Sequence, residues 1–147
     1  MSIFTFMILD TTYKSLENNN LINDLVGTPF SFIQSLIMKG VHCKNLLIDD
    51  VSPNFKEYLN SKSDNYSNLE LRPFSVIIKF KKDFKNYSWV IPYYQLVFYK
   101  TNGTSLHAQG RYIHFKNNKT FIKNKLFFEK LLDEKIKFES QFSFTPF

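Results

Sequence analysis

The dipeptide Asn102-Gly103 constrains this chain more than any other feature. It separates two β-rich runs, Trp89–Thr101 and Thr104–Phe115. A two-residue type I′ loop needs positive φ at both central positions, and Asn and Gly tolerate it best. Antiparallel strands are therefore expected near Ile91–Thr101 and Thr104–Phe115, with Thr101 opposite Thr104. The pairs then run outward as Phe98 with His107, Leu96 with Gln109 and Tyr94 with Arg111. Because side chains alternate across a strand, this register sorts residues onto two faces. Trp89, Ile91, Tyr93, Val97, Tyr99, Leu106, Ala108, Gly110, Tyr112 and His114 share one face, which reads as core. Tyr94, Leu96, Phe98, Lys100, Ser105, His107, Gln109 and Arg111 share the other, which reads as a half-exposed surface. Pro92 cannot donate to a ladder and marks a strand start, an edge or a bulge.

The rest of the chain mixes helix and strand signals. Ile3–Leu9 reads as a strand or short buried segment, and Glu17–Asp24 as a polar connection or weak helix. A helix is expected from Thr28 as N-cap, through Pro29 at its first position, to Gly40 past its end. Val41–Ile48 reads as a strand. Ser52-Pro53 opens a short helix with Phe55, Tyr58 and Leu59 inward. Ser61–Asn68 reads as a mobile loop. Val76, Ile78 and Phe80 alternate with Ile77, Lys79 and Lys81, a strand with one wetter face. An amphipathic helix is expected over Phe121–Phe138, with Thr120 as N-cap and Phe121, Phe128, Leu131, Leu132 and Ile136 on its apolar side. It should pack on the Trp89-Tyr93-Val97 face, where Ala108 and Gly110 leave room. This order of elements is α+β: an antiparallel sheet, a C-terminal amphipathic helix and one or two N-terminal helices.

Residues 1–147 form one domain by length, large enough to bury a core without disulfides. Hydrophobic residues make up 44%, which argues against disorder. The net charge of +6 admits anionic partners, yet the lysines are dispersed and only two arginines occur. The skew toward Lys, Asn, Ile and Phe matches the coding bias of an AT-rich genome, so much of that charge reads as a solvated lysine surface. Cys43 is the one cysteine, which excludes an intrachain disulfide and fits a buried structural thiol. Ser2–Leu9 lacks a basic leader and a cleavage site, and no run has the length of a membrane span. The expectation is a cytoplasmic, soluble protein.

The strand LELRPFSVIIKF, the strand WVIPYYQLVFY with Ile91-Pro92, a second strand ending YIHF and a capping C-terminal helix resemble the bacterial pleckstrin-homology-like domains. The resemblance covers Leu69–Leu132. It implies a partial barrel and an interaction module that binds peptides, proteins or lipid headgroups without catalytic residues.

Motifs of catalysis are missing from the sequence. None of the four glycines falls in a phosphate-loop spacing, and no CxxC, HExxH or GxSxG occurs. On an unbroken strand His107 and His114 point to opposite faces and share no metal; a bulge at Gly110 would change that parity. His114 reads as a sheet-edge residue with a satisfied hydrogen bond. Asp49-Asp50 reads as favouring the helix N-terminus at Ser52-Pro53. No cofactor and no metal are expected.

The leading candidate site is Tyr94, Phe98, His107, Gln109 and Arg111, which unites aromatics, a titratable ring and a guanidinium. The first reading is a non-catalytic interaction domain whose partner is a protein or an anionic ligand. The alternative is a single-stranded nucleic-acid binder using Lys79, Lys81, Lys82 and Lys85 beside Phe80, Phe84 and Tyr87. A third is a small enzyme with Asp49, Asp50, His107 or Arg111 in a cleft, which requires a pocket gathering at least two of them.

Overall fold

The computed structural model describes residues 8–10 and 41–142. The expected helix over Thr28–Gly40, the Glu17–Asp24 connection, most of the first strand and most of the aromatic tail lie outside the described residues. Among the described residues, eight strands form one antiparallel sheet. They are β1 (Ile8–Asp10), β2 (His42–Val51), β3 (Asn65–Leu71), β4 (Ser75–Lys82), β5 (Lys85–Pro92), β6 (Val97–Tyr99), β7 (Gly103–Ala108) and β8 (Arg111–Lys116). Their order is β1-β5-β4-β3-β2-β8-β7-β6. Two meanders, β2 to β5 and β6 to β8, are therefore fused where β2 pairs with β8. A 3₁₀ turn, Pro53–Tyr58, follows β2, and another, Tyr93–Gln95, separates β5 from β6. Helices α1 (Lys119–Lys123) and α2 (Lys125–Phe142) follow β8. The α+β class and the C-terminal helix are as the sequence predicts.

The hairpin is not as predicted. Val97 pairs with His107, Phe98 with Leu106 and Tyr99 with Ser105, one residue away from the expected register. Asn102 and Gly103 do take positive φ, 47° and 112°, but they belong to a wider connection. The cause lies upstream. Tyr93–Gln95 is a 3₁₀ turn, and its period of three puts Tyr93 and Leu96 on the same side. Both are buried, at 0% and 1% exposure. The strand alternation restarts from there out of phase, so Phe98 turns inward and Val97 and Tyr99 turn out.

Nor is Thr104–Phe115 one strand. It folds back at Gln109-Gly110, with φ of 56° and 74°, so that Ala108 faces Arg111. These positive angles are the ones a two-residue primed turn demands. Past this turn the parity reverses again. Arg111, Ile113 and Phe115 are buried, while Tyr112 and His114 are only partly covered. The predicted face assignment thus holds for Trp89, Ile91, Tyr93, Leu106 and Ala108 and fails for Val97, Tyr99, Leu96, Phe98 and Arg111.

Phe55, from the turn after β2, is central to the core. Its ring lies 5.0 Å from Phe80, 5.3 Å from Trp89 and 5.9 Å from Tyr58. Burying an apolar side chain of this size contributes about 1.5–3 kcal/mol. Pro53 sets the first φ of that turn, and the buried Ser52 precedes it. Cys43 is buried in the same core, and burial pushes its thiol up to about 12, which leaves it protonated and unreactive. Asn45 takes φ 60° where the β2–β3 register shifts, and Asn68 Oδ1 accepts its amide at 2.9 Å. Asn65–Asn68, expected within a mobile loop, belongs to β3 instead, because Ser67 and Leu69 are buried against β4.

The C-terminal helix begins earlier than expected. Asn118, not Thr120, caps it, accepting the Phe121 amide at 2.9 Å. It breaks at Asn124, whose side chain donates to the Thr120 carbonyl at 2.8 Å. From α2, Phe127, Phe128 and Leu131 are buried, and Ile136 is 52% exposed. The helix lies against the Tyr93–Gln95 turn, with Phe138 6.1 Å from Tyr93 and Phe128 6.2 Å from Phe115. Tyr93 is thus part of its seat as predicted, while Val97 faces solvent.

Candidate functional site

The sheet curls until the β7–β8 turn reaches β5. Gln109, at that turn, is the clasp. Its Oε1 accepts the Trp89 indole N–H at 3.1 Å. Its Nε2 donates to the Val90 carbonyl at 3.1 Å and to Gln95 Oε1 at 2.8 Å. Gln95 in turn donates to the Tyr94 hydroxyl at 3.2 Å. Gln109 holds this position with φ 56°. On the other flank of the turn, Asn54 donates to the Gly110 carbonyl at 3.0 Å.

The five predicted site residues are divided between the two faces. Arg111 turns inward, 8% exposed, with its guanidinium 5.9 Å from the Tyr58 ring centre and its Nε donating to the Asn54 carbonyl at 3.5 Å. Phe98 packs against the core. His107 stays on the outer face, its ring 4.6 Å from Tyr99 and 5.1 Å from Tyr112. Desolvation between these rings lowers the His107 pKa and favours the neutral imidazole. Tyr94 is 56% exposed. His107, Gln109 and Arg111 still meet at a shallow groove of about 310 Å³, bordered by Ser52, Gln95 and Tyr112.

Asp49 and Asp50 belong to β2 and do not serve the following helix turn. Asp50 accepts the Tyr112 hydroxyl at 3.1 Å and the Val51 amide at 2.9 Å, and the carboxylate pushes the Tyr112 phenol up. Asp49 lies 3.6 Å from His114 Nδ1, and His114 Nε2 donates to the Thr101 carbonyl at 3.0 Å. His114 is therefore satisfied, as expected, although β8 is an interior strand. The Gln109-Gly110 turn also puts His107 and His114 on the same outer face. Among the described residues no cluster of His, Cys, Asp and Glu could hold a metal ion.

The outer face near β6 exposes three large side chains. Tyr94, Val97 and Tyr99 are 56%, 48% and 54% exposed. Among the described residues β6 pairs only with β7, so its outer edge has no strand beside it. Of the lysine strand's aromatics, Phe80 is 4% exposed and stacks on the half-buried Tyr87 at 5.7 Å, while Phe84 is 91% exposed. Sequence reasoning missed the Trp89–Gln109–Gln95 chain and the Tyr99–His107–Tyr112 ring cluster, in which Tyr99 meets His107 edge-on and Tyr112 stacks on it. The glycine at 110, following a polar residue in an overlong strand, was the signal for both.

The chain matches no protein-family model, no curated protein and no solved structure. No helix among the described residues is long and apolar enough to cross a membrane.

Proposed function

We propose that this chain is a non-catalytic interaction domain that binds a protein segment over the β6–β8 face. One observation carries the reading: Val97 and Tyr99 on the edge strand β6, and Tyr94 on the turn before it, are half-exposed beside the groove bordered by His107, Gln109 and Arg111. Tyrosine and arginine dominate binding hot spots, and an edge strand offers backbone donors and acceptors to an extended peptide. The weak likeness to pleckstrin-homology-like domains points the same way. Arg111 has a different role from the one its sequence position suggests. It borders the groove from beneath and holds Tyr58 and Asn54, so it supports the face more than it presents a charge.

The test is selection from a random peptide library on the immobilised protein, followed by titration of the selected peptides. Binding should fall at least about tenfold in Val97→Asp and Tyr99→Glu, since hot-spot truncations cost over about 1.4 kcal/mol. Peptides that bind both variants as well as the parent chain would place the site elsewhere.

A further inference from the structure

The β4–β5 hairpin ends in a feature that the proposed peptide face does not use. Lys82 pairs with Lys85, so Asp83 and Phe84 form a two-residue loop, and Asp83 takes φ 54° to close it. Phe84 is 91% exposed, far more than any other large apolar side chain among the described residues. The β3 ladder against β4 ends at Ser67 and Phe80, and the β1 ladder against β5 ends at Asp10 and Tyr87. The last two pairs, Lys81 with Asn86 and Lys82 with Lys85, extend beyond both. The phenyl ring is thus carried at the end of a ribbon that outruns both ladders, with the exposed Lys81 and Lys85 just behind it, while Lys82 Nζ donates to the Glu57 carbonyl at 2.7 Å.

We propose that this tip docks on an anionic lipid bilayer, with Phe84 entering the headgroup–acyl boundary and Lys81 and Lys85 facing the lipid phosphates. An exposed aromatic on a rigid ribbon loses little conformational freedom when it inserts, and apolar burial with basic flanks is the combination that holds peripheral proteins at membranes. Each lysine near an anionic surface raises affinity roughly fivefold. Asp83 in the loop, and Asp64, which lines a groove with Lys81 and Asp83, offset part of that charge. Neither the ring nor the lysines suffice alone. Tyr66, 52% exposed and bordering the same groove, adds a second ring suited to the interface.

A single-stranded nucleic acid would use the same lysines, but it needs aromatic faces on which successive bases stack. Phe80 and Tyr87 pack against the core, stacked on each other and edge-on to Tyr58. That leaves Phe84 at the tip and Tyr66 at the groove beside it, separate rings and not a run of faces for successive bases, which suits insertion better than stacking.

The experiment is flotation of the full chain with phosphatidylcholine vesicles, with and without about one third phosphatidylglycerol. Binding should appear only with the anionic lipid. It should vanish in Phe84→Asp and fall roughly 25-fold in Lys81→Gln/Lys85→Gln. In Phe84→Trp the added indole should shift its emission to the blue and be quenched by brominated lipid, a readout independent of the charge variants. Flotation equal on neutral and anionic vesicles, or unchanged in Phe84→Asp, would overturn the proposal. So would binding to an oligothymidylate, lost in the same variants, while vesicles are ignored. Selected peptides for the β6–β8 face should bind all these variants normally, so failure here leaves the peptide reading standing.

Discussion

Gly103 shows how one backbone position can carry structural demand in a chain with four glycines. Its φ is 112°, and a Cβ added there would meet the Phe115 carbonyl oxygen at 2.2 Å. Gly103→Ala should therefore destabilise the domain by at least about 2 kcal/mol, read as a lowered urea midpoint. Gly110, with open space around its Cα, lacks that clash, and only its φ of 74° opposes substitution. Glu70 carries demand of another kind. Burial raises its carboxyl pKa, but the Arg72 hydrogen bond and the charges of Lys79, Arg72 and His42 outweigh it, so the net shift is downward from 4.5. A depressed carboxylate contributes stability that is complete above the unfolded pKa and is lost as pH falls through the folded one. Glu70→Gln should thus lower the urea midpoint at neutral pH, and the gap to the parent chain should shrink below about pH 4. A gap that is constant across that range would mean the carboxylate is not coupled to Arg72 and Lys79. At this scale the sequence was a good guide to conformation and a poor one to register. Asn102 and Gly103 take the positive φ their chemistry favours, yet the pairing follows from where Leu96 and Phe98 find burial.

Among the elements, α2 separates buried from exposed positions most sharply. Leu131 is fully buried and Ile136 is 52% exposed, though both fit the apolar stripe read from the sequence. Leu131→Ala should cost about 2–5 kcal/mol, and Ile136→Ala should stay within about 0.5 kcal/mol. Similar losses for the two would show that the helix is docked with a different face. Periodicity identified the helix because an amphipathic stripe persists over many turns. It misplaced the start, since Asn118 and Thr120 are both competent caps and only the Phe121 amide decides between them. The strand elements were harder. Alternation predicts a face only while a strand continues, and two short interruptions, Tyr93–Gln95 and Gln109-Gly110, each reset the phase. Neither interruption has the Asn-Gly or Pro-Gly chemistry that marks a turn. That is why the candidate cluster, read from one unbroken hairpin, came apart into inner and outer halves.

At the scale of the whole molecule, the sheet's curl is what the sequence could not show. Its strand order has β5 second and β7 seventh, so the two are remote along the hydrogen-bonded ladder. Gln109 joins them, bridging the β7–β8 turn to Trp89, Val90 and Gln95. Phe55 and Trp89 pack between the two sides of the curl, and the groove of the proposed binding face opens beside the same clasp. Gln109→Leu keeps the size of the side chain and removes both its donor and its acceptor. It leaves the buried Trp89 indole N–H without its glutamine partner, a loss of about 1–3 kcal/mol. The larger effect should be local. With the clasp gone, the β6–β8 meander should separate more readily from β5, and amides of β7 and β8 should exchange with solvent faster than those of β3 and β4. Peptide affinity at the β6–β8 face should drop with it, although Gln109 need not touch the peptide. Uniform acceleration of exchange across all strands would instead make Gln109 an ordinary contributor to global stability, with no special hold on the binding face.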